Sequence, residues 1–130
     1  MIGYSVAGMA STADSTSPVN LDSAQDRALE VRALYEILEQ RFNGKVWSLH
    51  ELMLGFTNDV GIIGRLILAH DGTWDIDGDV DDQLKHKLAE CLWWIFVLSD
   101  RLDIDMTQAF ASTMDSIDAG LQTTIAATAV

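Results

Sequence analysis

Two acidic side chains and one lysine carry the chemistry in this 130-residue chain: Asp59, Lys87 and Glu90. Asp59 and Ile62 are three apart in one helix-like segment, and Lys87 and Glu90 are three apart in another. Residues at that spacing share a helix face. Two such faces packed together bring four side chains to one locus. Four acids there would make an oxygen cage for a hard divalent cation such as magnesium. Here two positions are acids, Ile62 is apolar and Lys87 is a cation. One metal on Asp59 and Glu90 keeps two carboxylates, but a second metal lacks ligands. Lysine supplies a point charge for a phosphate in place of a metal.

The segments that must position these residues read as helices. The first helix is expected over 22–41, with Asp22 as cap and Gln25 as its partner. Ala28, Val31, Leu34, Tyr35 and Leu38 form its apolar face, and Asn43-Gly44 ends it. The second spans 48–69, opened by the S-x-x-E box of Ser48 and Glu51. Leu52, Phe56, Ile63 and Ile67 lie near one stripe, widened by Leu54, Val60 and Leu68, so a central position is expected. Gly55, Gly61 and Gly64 each cost about 1 kcal/mol against alanine in a helix, and close helix contact is the simplest compensation. The third spans 82–102 with Leu84, Leu88, Cys91, Leu92, Ile95 and Leu98 inward. The fourth spans 105–118, capped by Asp105, with Met106, Ala109, Phe110, Thr113, Met114 and Ile117 on one side and Gly120 beyond its end. The fold class is all-α: one domain over 21–118, a flexible tail at 1–20 and a weakly ordered tail at 119–130. Short connections favour antiparallel neighbours in a four-helix bundle.

Charge narrows the partners. Twenty acids against eight bases give a net charge of −12, which argues against nucleic acid and against an anionic membrane surface. A nucleotide screened by a metal remains compatible. No uninterrupted apolar run reaches the roughly 18–20 residues of a membrane span. The lone Cys91 fits a buried hydrophobe in a reduced, cytoplasmic compartment. The segment DGTWDIDGDVDD at 71–82 has six acids and no base, yet it misses the glycine and terminal acid of a calcium loop in either register. It reads as a solvated loop with Trp74 packing back.

The ordered set Trp47-Ser48, Glu51, GFTNDVGIIGRLILAHDG and HKLAECLWWIFVLSDRLDIDMTQAFASTMDSI resembles the MazG-like nucleotide pyrophosphohydrolases, over about Leu34 to Ile117. The family's small branch reads roughly GDVGDL in the second helix and HELADCLW in the third. The resemblance implies an all-α fold that hydrolyses nucleoside triphosphates to the monophosphate and pyrophosphate. It implies magnesium held by acids on two adjacent helices, and a homodimer or homotetramer whose partner helices help close the site. Carried over by position, Asp59 and Glu90 are the metal-binding and catalytic acids. Ile62 and Lys87 replace the other two. Lys87, Trp47 and Asn58 are the substrate-binding positions: phosphate contact, base packing, and a place where some relatives carry an extra acid.

A second reading stands beside the first. Lys87 and Glu90 also suit a helical ion pair with Asp59 across the interface, and Glu51 suits a helix cap. The chain is then a catalytically inactive helical oligomerisation or regulatory module. In both readings the second and third helices show more apolar surface than one small bundle covers, so self-association is expected.

Overall fold

The computed structural model describes residues 20–129, which form four α-helices with no strand among them: α1 Leu21–Asn43, α2 Leu49–His70, α3 Val80–Arg101 and α4 Met106–Thr128. Residues 1–19, nearly all of the expected tail, lie outside the described residues.

Local chemistry sets the ends. Asn20, not Asp22, caps α1: its side chain accepts from the Ser23 amide, and the Ser23 hydroxyl side chain returns a bond to the Asn20 backbone. Gly44 closes that helix at φ 70°, a left-handed conformation that glycine adopts without steric cost. Ser48 caps α2 as expected, its hydroxyl accepting from the Glu51 amide. The Glu51 carboxylate turns to Lys45 at 2.6 Å, and this hydrogen bond lowers its pKa. Asp79 caps α3, so the helix begins before the expected Asp82. Asp105 caps α4 as expected. That helix continues through Gly120 to Thr128, where a frayed tail from 119 was expected. A single glycine costs about 1 kcal/mol, too little to stop a helix otherwise free of breakers.

α2 and α3 form the principal pair, α1 lies against α3, and α4 meets α1. Leu52, Trp94 and Val97 are the fully buried centre, with Trp47, Phe56, Trp93 and Leu98 packed around them. The α3 core face is rotated from the expected one. Cys91, Trp94 and Val97 are buried, whereas Leu88, Leu92 and Ile95 are exposed. Burying an indole removes on the order of 200 Å² from water, about 5 kcal/mol at most, against about 2 for a leucine. Trp94 therefore decides which face turns inward. Leu34 on α1, and Leu54, Val60, Ile67 and Leu68 on α2, are also exposed rather than core. No residue of α4 is buried, so that helix lies at the periphery.

The expectation that no segment is long and apolar enough to cross a membrane needs correcting for α2. Its 22 residues reach a mean hydropathy of 1.4 in an 18-residue window, by length and composition alone. Counting only uninterrupted apolar runs hides this, because the buried Asp59 and the exposed Arg65 break the run.

Candidate functional site

α2 and α3 bring Asp59, Ile62, Lys87 and Glu90 to one place. The Lys87 ammonium lies 3.3 Å from Asp59 Oδ1 and 3.2 Å from Glu90 Oε1, bridging the two carboxylates. Ile62 and Lys87 line the same open cleft of about 320 Å³, with Leu66, Asp82, Gln83 and His86.

Asp59 is almost fully buried, and both its oxygens are engaged. Oδ1 takes Lys87, and Oδ2 accepts the indole N–H of Trp94 at 2.8 Å. Glu90 Oε1 is shared between Lys87 and His86 Nε2, one helical turn earlier. Burial works against the charged form of Lys87. The hydrogen bond and charge of Glu90, followed by the charge of Asp59, outweigh it and hold the lysine above its ordinary pKa. Tyr35 stands close enough to sense the same charges. Burial first, then Glu90 and Asp59, raise its phenol pKa. Burial, then the same two carboxylates, also raises the Cys91 thiol, which leaves it a poor nucleophile.

The glycine beneath Trp94 makes this arrangement possible. A Cβ on Gly55 would stand 2.7 Å from two ring carbons of Trp94 and 3.3 Å from Trp47. This is the close packing expected of the α2 glycines. Gly61 and Gly64 instead face open space. Trp93 completes the support, its indole N–H donating to the Ala28 carbonyl and its ring 5.3 Å from Tyr35.

The other expected site residues fall elsewhere. Trp47 packs against Gly55 and the core. Its amide donates to Glu39 and its carbonyl accepts from Arg101, so it serves the α1–α2 junction. Asn58 is exposed, about 100° round the helix from Asp59. Trp74 does pack back: its ring lies 5.3 Å from the Arg65 guanidinium carbon, half-exposed.

One polar cluster went unread in the sequence. Arg32 and Glu39 form a buried two-bonded ion pair at 2.6 and 2.9 Å, and Glu39 also accepts the Trp47 amide. Their seven-residue spacing, two helical turns on one face, was the available signal. Interleaved Ala28, Val31, Tyr35 and Leu38 mark that face as inward.

The donor set at the α2–α3 locus does not fit a magnesium ion. A cation already stands between the two acids, and one of those acids has both oxygens engaged. No group of three or more His, Cys, Asp or Glu side chains among the described residues is arranged to hold a metal. Comparison with known protein families, with curated proteins and with solved structures returned no match for this chain.

Proposed function

We propose that this chain is a catalytically silent helical module of MazG-like type, in which Lys87 serves as a tethered cation in place of the family's metal. The observation that carries this reading is the Lys87 bridge between Asp59 and Glu90, with Trp94 closing the second oxygen of Asp59. An ammonium offsets one of the two carboxylate charges, is shared between both acids, and fastens α2 to α3. It holds no exchangeable water ligand to activate, so the bridge supplies stability without a nucleophile. A reduced cytoplasmic setting suits the buried free thiol of Cys91.

A second reading, nucleotide binding with or without slow hydrolysis, draws support from the cleft beside Lys87. At about 320 Å³ it lies at the small end of ligand pockets. His86 and Lys87 at its wall offer contacts for a phosphate.

The test is magnesium-dependent pyrophosphate release across the common ribo- and deoxyribonucleoside triphosphates. The expected result is none above background. Turnover by the unmodified protein that Asp59→Asn and Glu90→Gln abolish would overturn the silent reading and favour the second.

A further inference from the structure

The cleft between α2 and α3 has its donors turned to the protein and its acceptors left over. Ile62 and the buried Leu66 form its apolar floor, and Asp82, Gln83, His86 and Lys87 of α3 form its wall. The Lys87 ammonium is held by Asp59 and Glu90. His86 Nε2 is held by Glu90, which in the neutral ring leaves Nδ1 an acceptor. Gln83 Nε2 donates to the Asp77 carbonyl, which leaves Oε1 to accept. The Asp82 carboxylate has no partner among the described residues, for only its backbone N–H is bonded, to Asp79.

Charge points the same way. Three carboxylates, Asp59, Asp82 and Glu90, stand in or beside the cleft against the one ammonium of Lys87. Arg65, the base nearest along α2, lies against Trp74 and shares its surroundings with Asp75 and Asp77. Lys85 is about 130° round α3 from the middle of the cleft wall.

We propose that this cleft binds a small organic cation, a primary ammonium on a compact apolar body. The ammonium sits on Asp82 and Gln83 Oε1, and the body lies on Ile62 and Leu66. An anion would meet three carboxylates and reach Lys87 only by breaking its bridge. At about 320 Å³ the cleft has room for an aryl or alkyl amine and little more. The inference rests on the silent reading only in taking Lys87 as engaged, and the two fail separately. Absence of both amine binding and turnover removes this proposal alone. Amine binding together with magnesium-dependent turnover removes the silent reading alone.

The experiment is a nuclear magnetic resonance titration of the isotope-labelled full chain at neutral pH. The probes are phenethylamine, its neutral analogue phenethyl alcohol and the anion hydrocinnamate. The amine should shift the amides of Ile62, Leu66, Gln83 and His86 saturably, with a dissociation constant of about 1 mM. The alcohol should bind about three- to fivefold more weakly, the modest difference a partly exposed ion pair makes. Hydrocinnamate should not saturate. Asp82→Asn should bring the amine down to the level of the alcohol. Asp118→Asn, the same loss of charge on the exposed surface of α4, should leave the amine unchanged. Amine and alcohol binding equally, or hydrocinnamate binding as tightly as the amine, overturns the proposal. So does an equal loss in the Asp82 and Asp118 variants, which would assign the attraction to the net charge of −12 rather than to the cleft.

Discussion

The double substitution Ile62→Glu and Lys87→Glu should convert the ion-pair cluster into a magnesium site. Both positions line one cleft beside Asp59 and Glu90, so the change gathers four carboxylates at one locus. Breaking a buried pair costs about 3–5 kcal/mol. The Lys87 side chain is 23% exposed, so about 2–3 kcal/mol is the better figure here. Placing a charge on half-buried Ile62 adds about 1 kcal/mol. Without metal the variant should therefore melt about 10–15 °C below the unmodified protein. Magnesium at about a hundred times its dissociation constant returns about 2.7 kcal/mol, or about 10 °C. The assay is thermal unfolding by circular dichroism, in chelator and in magnesium at matched ionic strength. The unmodified protein should show no magnesium-specific shift, and Asp59→Asn added to the variant should erase the variant's shift. A variant whose response to magnesium is no larger than the unmodified protein's refutes the reasoning. If the variant is unfolded in chelator, refolding on magnesium titration reads the same quantity.

Gly55→Ala should destabilise by about 1–2 kcal/mol despite the better helix propensity of alanine, because the new methyl meets the rigid Trp94 ring. Urea unfolding followed by tryptophan emission would show this, and a neutral or stabilised variant would contradict the packing. Glu39→Gln should cost about 2–3 kcal/mol in the same measurement, because it removes the two-bonded, buried counter-charge of Arg32 and leaves only the half-exposed Glu36, 3.4 Å from the guanidinium Nε; a loss below about 1 kcal/mol would mean the pair is not closed in solution. Stability should decline on the alkaline side. Cys91, Tyr35 and Lys87 all have raised native pKa values, so the folded state binds more protons than the unfolded state once pH exceeds about 9. Their contribution is complete below that pH and is lost as pH rises through the native values. Lys87→Met should flatten the decline, and an equally steep profile in that variant would assign it to other groups.

The sequence by itself determined the helical class, the four helices of the described residues and the shared helix faces at 59/62 and 87/90. Caps and i, i+3 spacing are local properties, set by hydrogen-bond geometry within one turn. Ser48, Asp105 and Gly44 could therefore be read directly, and so could the shared faces at 59/62 and 87/90. The tertiary structure decided the rest. In CLWWIFVL every face of α3 is apolar, so periodicity could not tell Leu92 and Ile95 from Trp94 and Val97. The largest ring and its hydrogen bond to Asp59 chose. The breadth of apolar surface on α2 suggested a central helix, whereas much of it is exposed on the side away from α3. Arg32 and Glu39 look like solvated charges until packing removes their water and leaves them one another. Above all, the sequence showed a lysine among would-be metal ligands. Only three-dimensional proximity decided that its ammonium stands between Asp59 and Glu90, because a charge's partner is set by distance in space rather than along the chain.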